Sequence, residues 1–140
     1  MTVRPPDKPA RLPAALLVAA SLVALEGLVL LGYAVLEIAH LSAERAEVAV
    51  TTSIFFAAYG GLLVAAAWAI THGHSWARSP MVLAQLIQLG VAWSFRGGET
   101  TWVAVTLAVV ALVVLVGLLN PASIEALADP EDRDQDGPPA

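Results

Sequence analysis

Four long apolar runs, each carrying little or no charge, constrain this chain more than any other feature. The runs cover residues 12–39, 48–71, 80–95 and 100–119. A helix needs about 20 apolar residues to cross the ~30 Å hydrocarbon layer of a bilayer. In hydrocarbon the backbone must satisfy its own hydrogen bonds, and a helix does so within one segment. The pattern predicts an all-α polytopic membrane protein, a four-transmembrane-helix bundle with short loops.

The composition supports the same prediction. Hydrophobic residues make up 58% of the 140 residues and charged residues 14%, against ~45–50% and ~25% in soluble domains. A soluble fold of this size would expose a large apolar patch, which lipid would cover. Because the runs are continuously apolar and do not alternate, a membrane β-barrel is disfavoured. We expect the lipid bilayer to be the principal partner.

The two ends of the chain differ from the runs. Residues 1–11 contain three prolines and three basic residues, which predicts a disordered N-terminal arm. Residues 121–140 should begin with a short amphipathic turn that ends at Leu127. Asn120 would be its N-cap and Pro121 would occupy the first helical position. An acidic tail without apolar anchors follows, and we expect it to be disordered.

Two of the runs have unusual lengths. The first resembles a secretory signal peptide at its start, with Ala19-Ala20-Ser21 as a possible cleavage region. Its hydrophobicity continues to Ile38, however, which is too long for an h-region of ~7–15 residues and favours an uncleaved helix. The third run would cover only about 24 Å at 1.5 Å per residue, so it must stand nearly upright or thin the bilayer.

The distribution of basic residues predicts the orientation. Lys and Arg accumulate in cytoplasmic loops and near the cytoplasmic ends of membrane helices. One side would carry five of these residues and the other only Arg45 and Arg96. We therefore expect both termini in the cytoplasm and the chain in the cell (plasma) membrane. The five residues of the first side are Arg4, Lys8, Arg11, Arg78 and Arg133.

Glu26 is the residue that most invites a functional interpretation. It lies halfway along the first run, where an ionised carboxylate costs about 2.5–3.5 kcal/mol on insertion scales. Gln85 and Gln88 are three residues apart, so they share one face of the third helix at a similar depth. A polar seam inside the bundle is the resulting hypothesis. Its candidate members are Glu26, Tyr33, Tyr59, Gln85 and Gln88.

The sequence allows two interpretations of Glu26, one functional and one structural. It can take part in proton coupling or cation binding, as membrane-embedded acids often do. Alternatively, it can be a neutral, hydrogen-bonded carboxyl that fixes the packing of the helices. Small residues such as Gly27, Gly60 and Gly61 would allow close approach of the helices in either case.

Other clusters predict little chemistry. Four titratable residues would share one face if the first helix continued outward, and they are Glu37, His40, Glu44 and Glu47. A solvated helix end explains them better than a metal site does. His72, His74 and the four tryptophans fit interfacial anchoring. Nucleotide-binding, metalloprotease and serine-hydrolase motifs are missing, and no basic patch suits nucleic acid. We predict no enzyme activity, no cofactor and no metal.

Two segments of the chain have a familiar pattern. The segment from Trp76 to Leu86 has an Arg-Ser-Pro entry at Arg78 into a Gln-containing third helix, and the fourth helix exits through Leu118-Leu119-Asn120-Pro121. On these features the chain resembles small four-helix actinobacterial integral membrane proteins of unknown function. The resemblance spans residues 12–127 and implies the fold without implying an activity.

A second resemblance bears on function. Small multidrug-resistance transporters also have four helices and a membrane-embedded glutamate in the first, which Glu26 matches. The Gly-rich third-helix pattern and fourth-helix dimer motif of that family are missing here. The favoured hypothesis is therefore a non-enzymatic accessory or interaction subunit of the bacterial cell envelope, in a homo-oligomer or larger membrane complex. A small proton-coupled transporter that uses Glu26 is the alternative.

Overall fold

The computed structural model of the chain describes residues 11–40, 42 and 46–128. Most of the predicted N-terminal arm, Glu44 and Arg45 in the first loop, and the predicted acidic tail therefore lie outside the described residues. Within the described ranges every element is helical and no strand occurs. The all-α prediction is confirmed for this part of the chain.

Five α-helices follow one another in the described part of the chain: α1 (Ala14–Ala39), α2 (Ala46–Thr71), α3 (Arg78–Ser94), α4 (Thr101–Leu119) and α5 (Pro121–Leu127). Short 3-10 turns at Ser75–Ala77 and Gly98–Thr100 lead into α3 and α4. The first four helices begin and end within two residues of the predicted runs.

Three helical stretches are long and apolar enough to cross a membrane: Ala14–Ala39, Ala46–Thr71 and Gly98–Leu119. The chain therefore has the composition of a membrane protein. Helix α3 is shorter, at 17 residues, and its crossing remains a prediction. It begins at Arg78, two residues before the predicted start, because Pro80 then lies in the first turn, where a residue without an N–H group is tolerated.

The four long helices form a ring. Helices α1 and α2 make the most extensive contact, α3 packs on α4, and the ring is closed by contacts of α1 with α4 and of α2 with α3. Helices α1 and α3 therefore lie across one diagonal of the bundle. We call the end at which α1 begins the proximal end, and the end at which α1 stops the distal end.

Helices α1 and α2 cross with their backbones in direct contact. A Cβ atom added to Gly27 would lie 2.7 Å from the carbonyl oxygen of Gly60, and one added to Gly60 would lie 2.7 Å from that of Gly27. This approach requires glycine at both positions, because a side chain on either helix would meet the backbone of the other. On the distal side of the crossing the two helices leave an apolar cleft of about 400 Å³ between them, whose wall includes Ser53 and Ile54.

The buried core is concentrated in the proximal half. Fully buried side chains there include Leu16 and Val23 of α1, Ile70 of α2 and Met81 of α3. Beyond Gly27, only Ala34 is buried on α1. The reason is the difference in helix length: six residues of α3 follow Gln88 but thirteen of α1 follow Glu26, a difference of about 10 Å at 1.5 Å per residue.

Helix α5 closes the proximal end. The Asn120 side chain accepts a hydrogen bond from the Ala122 N–H, as the N-cap of α5. Pro121 has no N–H to offer the carbonyl of Gly117 four residues earlier, and the buried Ser123 hydroxyl donates to that carbonyl instead, at 2.7 Å. Leu127 then packs into the core, so the predicted amphipathic turn is a docked helix.

Candidate functional site

Glu26 is held by two glutamine side chains across the diagonal of the bundle. Gln85 Nε2 donates to Glu26 Oε2 at 2.9 Å, and Gln88 Nε2 donates to Glu26 Oε1 at 2.9 Å. We call these three residues the clamp. Both oxygens of the carboxylate therefore have an amide donor, and the clamp joins α1 to α3, which do not neighbour each other in the ring.

The local sequence explains why the clamp forms. Residues three apart on a helix point the same way, so Gln85 and Gln88 reach one carboxylate together. Helix α3 has no charged side chain after Arg78, and α4 has none at all. The carboxylate is thus surrounded by neutral groups, and amide hydrogens are the donors available to it.

Gln88 is fixed by two hydrogen bonds. Its Nε2 donates one hydrogen to Glu26 and lies 3.2 Å from the carbonyl oxygen of Leu107 on α4, to which it donates the other. A primary amide nitrogen carries two hydrogens, and both are used here. Gln88 therefore ties three helices together at one point.

Gln85 is buried but only half satisfied. Its side chain is completely inaccessible to solvent, and its carbonyl oxygen Oε1 has no hydrogen-bond partner among the described residues. A buried acceptor without a donor typically costs about 1–3 kcal/mol. The single hydrogen bond of this amide is the one to Glu26.

The two tyrosines of the predicted seam are placed differently. Tyr59 on α2 is half-buried against the core, and it lies close enough for the charge of Glu26 to act on it. Its ring stacks on Phe55 at 5.9 Å. Tyr33 is 55% exposed and its ring lies 6.5 Å from that of Phe56.

Tyr33 does not join the clamp although it shares a face of α1 with Glu26. Seven residues separate them along the helix, which is about 10 Å of rise. The structure thus brings together Glu26, Gln85 and Gln88, with Tyr59 nearby. The carbonyl of Leu107 completes the arrangement, and the sequence offered no signal for it because every apolar helix residue has such a group.

Aromatic side chains mark both ends of the bundle. Trp68 and Trp76 lie at the proximal end, Trp93 and Trp102 lie at the distal end, and all four are exposed. The guanidinium of Arg96 lies over the Trp93 ring at 3.3 Å from its centroid, a cation–π contact. This placement agrees with interfacial anchoring.

The histidines close the end of α2. The Nδ1 atom of His72 lies 2.8 Å from the Trp68 carbonyl, and that of His74 lies 3.1 Å from the Ala69 carbonyl. In the part of the chain that the structure describes, no group of three or more His, Cys, Asp or Glu residues is arranged to hold a metal ion.

Comparison with models of known protein families, with curated proteins and with solved structures finds no match to this chain. The resemblances drawn from the sequence therefore stay predictions.

Proposed function

We propose that this chain is a four-span protein of the cell membrane, with both termini in the cytoplasm, that acts as a non-enzymatic accessory or interaction subunit. One observation carries the proposal: both carboxylate oxygens of Glu26 are used inside the bundle. The acid of the clamp then serves to hold α3 against α1. A cation at Glu26 would have to share oxygens that already accept hydrogen bonds from the two amides.

The surface of the bundle supports the same function. Among the described residues, thirty large apolar side chains face outward, so the bundle offers lipid-facing helix surface on all sides. Transmembrane helices associate through packing and interhelical hydrogen bonds, because lipid supplies no hydrophobic drive. A small bundle whose interior carboxylate is paired with two amides and whose exterior is apolar is suited to packing beside a larger membrane protein.

Helix α3 fits a fourth crossing despite its length. Gln85 and Gln88 lie near its middle, and their bonds to Glu26 hold them at the depth of the middle of α1. At 17 residues the helix covers about 26 Å, and Arg96 at its distal end rests on Trp93. Long basic side chains next to interfacial tryptophans are typical of helix ends at the membrane surface.

Site-specific photo-cross-linking in native membranes tests the accessory function. A photoreactive residue at Ile54, which is 64% exposed beside the cleft, should capture one larger membrane protein in near-equal amount. The same residue at Ile70, which is fully buried, is the matched control and should capture only the chain itself. Recovery of the chain alone from both positions would contradict the proposal.

The transporter alternative has one observation in its favour, which is that Glu26 lies at the middle of α1 and is only partly buried. It predicts substrate-driven proton release from proteoliposomes that Glu26→Gln abolishes. Proton release that is equal in the wild type and in this variant would exclude it.

A further inference from the structure

We propose that the clamp is a proton-binding site in which the amide of Gln85 turns over when Glu26 takes up a proton, while Gln88 keeps its place. The inference goes beyond the accessory function. It rests on the proposed membrane placement only for the depth of Glu26. It assigns different roles to Gln85 and Gln88, although they are the same type of residue on the same face of α3.

The present arrangement suits an ionised carboxylate. A carboxylate only accepts hydrogen bonds, and here each of its oxygens faces an amide nitrogen. A proton taken from water would convert one oxygen into an O–H donor. That oxygen would then face an N–H donor, so one of the two glutamines has to exchange its nitrogen for its oxygen.

Gln88 cannot make this exchange without loss. Its two amide hydrogens bind Glu26 Oε1 and the carbonyl of Leu107. Turning the amide over would break both hydrogen bonds and would set its carbonyl oxygen against the carbonyl oxygen of Leu107. Gln88 is therefore a permanent donor to Oε1, whether that oxygen belongs to a carboxylate or to the C=O of the neutral acid.

Gln85 can make the exchange at the cost of a single bond. Its only hydrogen bond to a described residue is the one to Glu26 Oε2, and none of these residues offers a donor to its buried carbonyl oxygen. The two ends of a primary amide have nearly the same shape, so the turn needs no extra space. After the turn, the proton on Oε2 is donated to Gln85 Oε1, and the unpartnered carbonyl gains a donor.

The groups that surround Glu26 are neutral, so Glu26 is the group that takes up the proton. Helix α2 contributes Tyr59, a phenol on which the charge of Glu26 acts through space. Helix α3 contributes the two neutral amides, and α4 contributes the Leu107 carbonyl. No other bond forms or breaks: the carboxylate gains H⁺, and one N–H···O bond is replaced by one O–H···O bond.

Solid-state NMR of the full chain in phosphatidylethanolamine–phosphatidylglycerol vesicles tests the proposal. The chain carries ¹³C in its glutamate carboxyls and ¹⁵N in its glutamine side chains, and Glu26→Gln, Gln85→Met and Gln88→Met assign the signals. At a pH at which its chemical shift reports the carboxylate, the Glu26 carboxyl should show dipolar contacts to both amide nitrogens. At a pH at which its chemical shift reports the neutral acid, the contact to Gln85 should be lost and that to Gln88 kept.

Three results would overturn the proposal. They are persistence of both contacts in the neutral acid, loss of the Gln88 contact in place of the Gln85 contact, and a Glu26 signal that keeps one protonation state at every pH at which the chain stays folded. Alkaline carbonate extraction of the same vesicles tests the membrane placement separately from the turn of the amide. Release of the chain would contradict membrane placement without bearing on the turn of the amide.

Discussion

Gln85 and Gln88 bind the same carboxylate but are not equivalent. Gln88 uses both amide hydrogens and connects α1, α3 and α4, whereas Gln85 makes one hydrogen bond and keeps an unpartnered oxygen. Interhelical hydrogen bonds of this kind contribute about 0.6–1.7 kcal/mol each in membrane proteins. The clamp is therefore a modest energetic tie whose larger effect is to fix the position of α3.

A double-mutant cycle measures this tie. We expect Glu26→Leu and Gln88→Leu to show a coupling free energy of about 0.6–1.7 kcal/mol in reversible unfolding from lipid. The matched control is Glu26→Leu with Tyr33→Leu, because Tyr33 shares the face of Glu26 but lies two turns away and exposed. That pair should be additive. Equal coupling in the two cycles would show that the clamp has no specific energy.

The sequence predicted the clamp but not its geometry. Depth along the helices and the three-residue spacing of the glutamines were enough to bring Glu26, Gln85 and Gln88 together as a hypothesis. Spacing on one helix also suggested Tyr33, because helical periodicity reports direction and ignores distance along the axis. The role of the Leu107 carbonyl could not be predicted, since it depends on how α4 is rotated against α3.

Among the helices, the glycines of α1 and α2 differ in how closely the other helix approaches them. Gly27 and Gly60 meet backbone to backbone, whereas a Cβ on Gly32 or Gly61 would meet nothing within 4 Å. The sequence identified Gly27, Gly60 and Gly61 as small residues that allow close packing but could not rank them. The ranking requires knowledge of which faces pack together.

We expect Gly27→Ala to lower the free energy of unfolding by about 1–3 kcal/mol, because the new methyl group overpacks the crossing. Gly32→Ala should be neutral or raise it by about 0.5–1 kcal/mol, since alanine is the better helix former. Denaturant titration in mixed micelles measures both. Equal destabilisation by the two substitutions would place the crossing elsewhere on the helices.

Docking of α5 can be tested in the same way. Leu127 is 6% exposed and Ile124 is 41% exposed, although both belong to this short helix. Replacing a buried leucine by alanine costs about 2–5 kcal/mol, which a seven-residue helix cannot recover from its own backbone. Leu127→Ala should therefore speed hydrogen exchange throughout α5, and Ile124→Ala should not. Equal exchange in both variants would mean that α5 is not held by the core.

For the whole molecule, the proposed fourth crossing by α3 can be tested by labelling from one side of the membrane. The chain has no cysteine, so single cysteines report sidedness cleanly. An impermeant thiol reagent outside intact cells should label Ser42→Cys and Glu99→Cys but not Ser75→Cys. Labelling of Ser75→Cys together with Glu99→Cys would mean that α3 does not cross. The prediction follows from an even number of crossings and a basic N-terminus on the cytoplasmic side.

The broad architecture was accessible from the sequence because hydrocarbon imposes a length and an apolar composition on every crossing helix. The concentration of buried side chains in the proximal half could not be predicted from the sequence. Burial in the proximal half depends on which residues of α1 face Ile70 and Met81, and amphipathic periodicity is weak when both lipid and core are apolar. The docking of α5 likewise depends on a cap and a hydroxyl that substitutes for the missing N–H of Pro121.

The unequal heights of the helices have a consequence for the surrounding lipid. Past the level of Glu26, α1 continues for about 20 Å while α3 continues past Gln88 for only about 9 Å, against a leaflet of about 15 Å. In the proposed four-crossing arrangement, with Glu26 at mid-bilayer, acyl chains beside the α3–α4 edge would have to shorten, while those beside the α1–α2 edge could stay extended. Placed in this way, the molecule would act as a wedge on one leaflet, and thinner or more compressible bilayers would relieve the strain.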